Sequence, residues 1–318
     1  MSGQGQLLDR ELLVVTGKGG SGRTTVAAAL GLACARAGRR TIVCEVLGQS
    51  GVPRLLDRPA AERPGEEAEI APGLWAMTID PERALAEWAG SEVLPRPLVE
   101  LLMRSSAFSA FVAAAPGARE LVTATKSWEL GRSGALGRGK RWSSRPGYDV
   151  VVLDAPASGH GLAMLSTPRT FADIARVGPV AVQARRAAEL LEHPSRTGLI
   201  SVARAEETPV NETLEFGAQS QAVLGHGPAL IAVSAVHGAG LRTAERELVR
   251  AGDGAVPAAV VGAIRTRAAR TRVQDTQLAR LRRQADAPVV TLPFVTGPIS
   301  AVDVELLARK LGPALAAG

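Results

Sequence analysis

The chain is short of cysteine, lysine and methionine, and each shortage removes a class of explanation. Two cysteines in 318 residues, Cys34 and Cys44, cannot build a disulfide framework or a closed cysteine-only metal site. Four methionines, Met1 among them, leave no Met-rich groove for hydrophobic clients. No uninterrupted apolar run approaches about 18 residues, so a transmembrane helix is not expected. Residues 1–10, MSGQGQLLDR, lack the basic and apolar regions of a secretory leader, and a cytoplasmic protein is expected. Only four of the 37 basic residues are lysine (18, 126, 140 and 310), leaving 33 arginines. GC-rich coding produces that skew by itself. The net charge of +6 is therefore no argument for nucleic acid, which is not expected as a partner.

What is present describes a folded α/β protein. Hydrophobic residues at 46% and charged residues at 21% exclude a disordered chain. Short β-branched runs at 12–16, 41–46, 75–79, 149–154, 199–203, 229–234 and 289–292 alternate with longer Ala/Leu-rich segments, the pattern of a parallel sheet wrapped by helices. The run Val150-Val151-Val152-Leu153 suits a strand buried on both faces. A first helix is expected over 24–37, stopped by Gly38 in the left-handed conformation. Residues 57–73 and 131–147 read as loops. Residues 81–130 read as mainly helical, with breaks at Pro95-Arg96-Pro97 and Pro116-Gly117, too much helix for a simple crossover. The expectation is one doubly wound, mostly parallel α/β domain over 1–318. It carries a helical insertion at 81–145, which helices within 165–197 would join.

The strongest chemical signal is Gly17-Lys18-Gly19-Gly20-Ser21-Gly22-Arg23-Thr24-Thr25, directly after the first strand and opening the first helix. Its spacing is that of G-x-x-x-x-G-K-[ST] with Arg23 at the lysine position. Glycines let consecutive backbone N–H groups wrap a phosphate without Cβ interference, and the helix N-terminus aims partial positive charge at the same anion. Gly19, Gly20, Ser21, Gly22, Arg23, Thr24 and Thr25 are the candidate nucleotide-binding residues, with the Thr24 hydroxyl on Mg²⁺. A second element, Tyr148-Asp149-Val150-Val151-Val152-Leu153-Asp154-Ala155-Pro156-Ala157-Ser158-Gly159-His160, ends a buried strand in Asp154. That carboxylate can hold Mg²⁺ through water, and the Pro/Gly loop after it can follow a γ-phosphate.

A lysine directly after the first glycine, here Lys18, marks the deviant-Walker group of P-loop ATPases (SIMIBI class), which this stretch resembles. The D-A-P-x-x-G-H run resembles the D-x-A-P-x-G-H of switch II in the arsenite-pump and tail-anchored-protein-targeting ATPases, with one residue missing between the acid and the Ala-Pro pair, as in their bacterial relatives. Residues 198–213, 229–236 and 290–293 extend the likeness over most of the chain, which looks like an actinobacterial-type member. The resemblance implies a P-loop NTPase fold and ATP with Mg²⁺. It also implies a nucleotide-gated dimer, with itself or a paralogous subunit, that acts on a protein client and in which Lys18 reaches the partner's nucleotide. The eukaryotic members hold zinc with a C-x-x-C clasp, a spacing absent here, so no zinc is expected. No cysteine-based oxyanion site is evident, so arsenite transport is not expected either.

Three departures fall at chemically important places. Arg23 replaces a lysine, and its planar fork is larger and less adaptable than an ammonium. Leu47 takes the place of the switch I aspartate that orients the attacking water, a task an alkyl group cannot do. Glu45 or Gln49 could substitute, Glu45 alternatively supporting the Mg²⁺ shell and Gln49 orienting water as a glutamine does in some GTPases. Ser234 takes the place of the adenine-reading asparagine, offering one donor where an amide offers donor and acceptor together. The expected activity is therefore a weak or partner-dependent ATPase. The alternative is a non-hydrolysing regulatory subunit paired with an intact paralogue.

The remaining features are weaker. His160 reads as a switch-loop residue, and His193, His226 and His237 as ordinary surface residues. Residues 264–283 form an Arg-rich amphipathic helix with Val273, Leu278 and Leu281 available for packing. Its charged face is either simply solvated or a peripheral contact for an anionic membrane or partner.

Overall fold

The strands β1 (Leu12–Gly17), β2 (Thr41–Val46), β3 (Ala68–Ala71), β4 (Leu74–Ile79), β5 (Val150–Asp154), β6 (Thr197–Arg204), β7 (Leu230–Val236) and β8 (Val289–Pro293) form one sheet in the order β3-β4-β2-β5-β1-β6-β7-β8. Every pairing is parallel except β3 with β4. This computed structural model describes residues 6–46, 51–92, 117–131, 147–156, 158–175, 177–238, 247, 250 and 257–317.

The continuous apolar strands are explained by burial on both faces. Leu13 and Val15 of β1 and Val150 and Val152 of β5 enter one core. Leu12 and Val14, with Val151 and Leu153, enter the other. The period-2 alternation of a strand sends neighbouring side chains to opposite faces, so both must be apolar when helices cover each side.

The first core is closed by α1 (Arg23–Arg36) and α9 (Ala301–Ala316). Helix α1 is almost entirely enclosed, from Val26 to Cys34, and its run of alanines allows close approach to the sheet. At Gly31 a Cβ would collide with the Val43 side chain. The helix ends as the sequence implies. Gly38 is left-handed at φ 82°, and Arg39 N–H donates to the Cys34 carbonyl at 3.1 Å, the Schellman pattern. At the start of α9, Ser300 and Asp303 form a reciprocal capping box.

The second core lies under α4 (Ala118–Leu130), α5 (Ser158–Ala175), α6 (Pro179–Glu192) and α7 (Glu207–Leu224). Helix α3 (Pro81–Glu92) packs on α4, and α4 on α5 and α6. Thus both ends of 81–130 are helical; the Pro95–Pro97 break, Pro116 and most of 131–147 lie outside the described residues.

Three expectations change; one is His226, read as a surface residue but buried, with Nε2 2.8 Å from the Leu191 carbonyl. The 57–73 segment contains β3, whose single fully buried side chain, Ile70, gives too little alternation to signal a strand; pairing with β4 supplies the order. The Arg-rich helix α8 is longer, Ala258–Gln284, and buries Val261, Thr271, Gln274, Leu278 and Leu281. Val273 is 55% exposed, because it lies off the 3.6-residue stripe defined by Gln274, Leu278 and Leu281.

The closeness of α1 to the sheet is testable at Gly31. Alanine in a helix interior gains about 1 kcal/mol over glycine, but overpacking a fixed core typically costs about 1–3 kcal/mol. Val43 is itself fully buried and cannot move aside. Gly31→Ala should therefore lower the unfolding midpoint in thermal or denaturant titration, despite the better helix propensity.

Candidate functional site

The site lies at the C-terminal ends of β1, β2 and β5. Strand β1 sits between β5 and β6. The chain passes from β1 over α1 to β2 on one side and later returns to β6 on the other. That reversal opens a crevice beyond the strand ends, where open α/β sheets bind ligands. At its floor Gly17 has φ 150°, and any Cβ there would strike the Val202 carbonyl on β6. Gly20 and Gly22 are left-handed, with φ 79° and 90°. A Cβ on Gly19 or Gly20 would meet open space, so these two positions face outward from the loop. Gly22 provides no side-chain cap to α1, which leaves the first-turn N–H groups available to an anion.

Thr24 and Asp154 meet across this crevice, the Thr24 hydroxyl donating to Asp154 Oδ2 at 2.6 Å. Asp154 is 1% exposed, and its second oxygen, Oδ1, is buried without a partner. Burial pushes the Asp154 carboxyl above its ordinary range, opposed by the Thr24 hydrogen bond and the Arg23 charge. Its register neighbour on β2 is Glu45, also buried. Glu45 Oε1 accepts the N–H groups of Gly51 at 2.7 Å and Val52 at 3.3 Å. Burial raises the Glu45 carboxyl as well; the two backbone N–H groups oppose that shift, and Asp154 adds to it.

A hydroxyl and a carboxylate with a free buried oxygen form a hard, oxygen-only donor set that fits Mg²⁺, which takes one or two protein ligands and completes its shell with water and phosphate. Among the described residues no three His, Cys, Asp or Glu side chains gather into a fuller metal cluster.

The other sequence-predicted residues surround this pair in unequal ways. Arg23 turns away from the loop, its Nη1 donating to the Ala155 carbonyl just past Asp154. Lys18 Nζ forms an ion pair with Glu212 Oε1 of α7 at 2.9 Å, both side chains being partly exposed. Ser234 lies beneath the loop: its hydroxyl donates to the Ser21 carbonyl at 2.5 Å. Thr25 occupies the first turn of α1, and residue 160 falls in the first turn of α5. Leu47 and Gln49 lie outside the described residues.

Sequence reasoning missed the neighbouring end of β7. Ala235 has φ 53°, and the buried Gln274 side chain bridges this bend, donating to the Ala235 carbonyl at 3.1 Å and accepting from His237 N–H at 2.9 Å. The His237 ring packs on the half-exposed Phe294 with centroids 4.5 Å apart. Burial, then Arg267, Arg270 and Arg204, lower its pKa. No spacing signal links residues 237, 274 and 294; only the adjacency of β7, β8 and α8 does.

The raised pKa of Asp154 makes it a stability liability at neutral pH. A folded state that binds this proton more tightly than the unfolded chain loses stability as pH rises from the ordinary carboxylate value of 3.8 through the folded one. Asp154→Asn keeps an acceptor for Thr24 and removes the charge. It should raise the ligand-free unfolding temperature at pH 7, with the gain shrinking as pH approaches 3.8. The same variant should weaken Mg²⁺-dependent nucleotide binding by about tenfold or more. Calorimetry of wild type and Asp154→Asn with and without Mg²⁺–nucleotide checks each part.

Residues 10–177 match the family described as anion-transporting ATPase. The chain is 34% identical over 209 residues to ATPase BagA of Mycobacterium tuberculosis, covering 64% of this chain and 59% of that protein. It is 26% identical over 224 residues to the arsenical pump-driving ATPase of Acidiphilium multivorum, covering 63% of this chain and 35% of that one. The Escherichia coli arsenical pump-driving ATPase is 25% identical over 222 residues, with 35% of its length covered. The chain thus spans less than two thirds of each of these relatives. The matched residues run from just before β1 to just past α5, taking in the phosphate loop, Thr24 and Asp154, and this chain belongs to the anion-transporting ATPase family of P-loop ATPases.

Proposed function

We propose that the chain binds Mg²⁺–ATP on the β1–α1 loop and acts as a nucleotide-gated dimer on a protein client, with hydrolysis weak until a partner completes the site. The observation that carries this reading is the Thr24–Asp154 hydrogen bond of 2.6 Å at the mouth of an uncapped helix, which assembles hydroxyl, carboxylate and backbone donors around one crevice. Bound Mg²⁺ would supply charge neutralisation between the phosphate oxygens. Thr24 and Asp154 would hold it, and the 19–25 backbone would hold the phosphates. The tilted His237–Phe294 ring pair, just beyond the ends of β7 and β8, offers aromatic surface for a base.

Two features support a degenerate site. Arg23 is engaged with the Ala155 carbonyl, so its charge braces the start of the switch II segment and not the loop it belongs to. Leu47 supplies no carboxylate to position water. Dimerisation finds support in Lys18. Its ion pair with Glu212 is partly exposed, and such pairs contribute only about 0–1 kcal/mol, so it exchanges readily for a phosphate across an interface. A heterodimer with an intact paralogue is the reading favoured by the Arg23 contact, because a partner would then supply the hydrolytic competence.

Titrating Mg²⁺–ATP into the full chain by calorimetry, with turnover measured alone and with such a paralogue, tests the proposal. Mg²⁺-dependent heat in the wild type that is lost in a Thr24→Ala, Asp154→Ala double variant is expected. Equal heats for the two would refute the site. Restoring Arg23→Lys with Leu47→Asp should raise turnover beyond either single change. One positioned acid–base or orienting group is typically worth about 10²–10⁴ in rate, and two groups acting on one reacting atom combine non-additively. Brisk hydrolysis by the wild type that collapses in Glu45→Gln or Gln49→Ala would instead give one of those residues the water-positioning role.

Lys18→Gln should weaken dimerisation in ATP analogue while leaving circular dichroism unchanged. A neutral replacement is the cleaner probe, since a carboxylate at 18 would face Glu212. Unaltered dimerisation in sedimentation velocity would remove the cross-interface role.

A further inference from the structure

At the opposite edge of the sheet the loops leading into β6, β7 and β8 surround a cavity of about 920 Å³. It is separated from the phosphate loop by the length of β1, six residues, or roughly 20 Å at the strand rise. Its walls are largely apolar, with Pro194, Leu214, Pro228 and Ile231 among them. Most polar groups in the lining already have partners within the fold. Gln221 Nε2 donates to the Gly225 carbonyl at 2.8 Å, Thr213 Oγ1 to the Pro209 carbonyl at 2.8 Å, and His226 Nε2 lies 2.8 Å from the Leu191 carbonyl.

Arg10 is the exception. It lines the cavity yet is only 4% exposed. Its Nη1 makes one long hydrogen bond, 3.3 Å to the Thr197 carbonyl, and its Nε is buried without a partner. Among the described residues no carboxylate forms an ion pair with it. The one acid in the cavity lining, Asp286, is exposed. Burial alone lowers the Arg10 pKa, with no acidic neighbour raising it back. Arginine cannot shed its proton to escape this environment, and an unpaired buried charge is among the least favourable arrangements in a folded protein.

We propose that Arg10 and this cavity bind a small amphipathic organic anion, a carboxylate or phosphate group on an apolar body. The guanidinium fork matches either oxyanion in a two-point contact. The volume lies in the range of small-molecule sites, which combine apolar walls with few polar anchors. The apolar lining sets this ligand apart from a bare inorganic oxyanion, and the site does not depend on the nucleotide reading.

The test uses the full chain with octanoate, 1-octanol and inorganic phosphate as probes, read by calorimetric titration and thermal shift. One molar equivalent of octanoate should bind and raise the unfolding temperature, whereas octanol and inorganic phosphate at the same concentration should bind at least tenfold more weakly. Arg10→Gln should lose the preference for octanoate over octanol. Ala218→Trp places bulk into the cavity from an exposed position on α7 and should abolish octanoate binding with Arg10 intact; it carries the test alone if Arg10→Gln does not fold. Thr24→Ala should leave octanoate binding unchanged. Equal binding of octanoate and octanol, or octanoate binding that survives Ala218→Trp, would overturn the proposal. Inorganic phosphate binding as tightly as octanoate would also overturn it.

Discussion

Everything at the C-terminal edge of the sheet depends on Thr24 and Asp154 being held within hydrogen-bond distance. One residue opens α1 and the other ends β5, and no turn connects them. Their meeting requires that β1 and β5 be parallel neighbours in the observed register, Val15 opposite Asp154. It also requires that the chain leave β1 through a turn tight enough to start a helix over the strand ends. Gly17 meets the second requirement, because only a residue without Cβ can pass the Val202 carbonyl. The first is met by β-branched strands buried on both faces, which fix register because a one-residue slip would exchange the two cores.

The same edge concentrates groups that ordinary folding would pair. Thr16 Oγ1, Ser21 Oγ, Asp154 Oδ1 and Glu212 Oε2 are all buried without hydrogen-bond partners, and all lie on or beside the β1–α1 loop. Glu45 and Asp154 are buried carboxylates on adjacent strands whose shifts both begin with desolvation. A sheet built only for stability would place alkyl groups there. Retaining acids at strand ends is the local inconsistency expected where a protein binds a cation or a polar ligand.

How much of this was legible in the sequence follows from the range of the interactions involved. The seven candidate strands, the αL stop at Gly38 and the phosphate-loop spacing are encoded within a dozen residues, and each was readable. Edge strand β3 was not, because its order comes from β4 and not from its own alternation. Val273 misled because three apolar residues define no unique stripe on an Arg-rich helix until a neighbour selects the face. At the site, the residue types at 23, 24, 154 and 234 were readable, but their bonding was not. Arg23 on the Ala155 carbonyl and Ser234 on the Ser21 carbonyl span 132 and 213 positions, distances over which spacing carries no information. Gln274 and Phe294 were invisible for the same reason.

Unpaired polar groups therefore occur at both ends of β1, and they differ in kind. At its C-terminal end the frustration is mixed: the unpartnered buried Asp154 Oδ1 lies beside the uncapped N–H donors of α1. That combination is relieved in one step by a ligand carrying both, a metal-bound phosphate. At its N-terminal end the frustration is purely cationic, a single guanidinium in a largely apolar hollow, and a metal complex would aggravate it. The same argument that supports the proposed nucleotide reading of the loop thus disfavours nucleotide–metal in the far cavity and favours a lone anion there. Occupancy of either end stabilises the native state by linkage, independently of chemistry. The two ends share the β1 backbone and the β1–β6 pairing from Leu12 opposite Thr197 to Gly17 opposite Val202. Thr197 also accepts from Arg10 and Val202 abuts Gly17, so one strand pair carries a contact from each site.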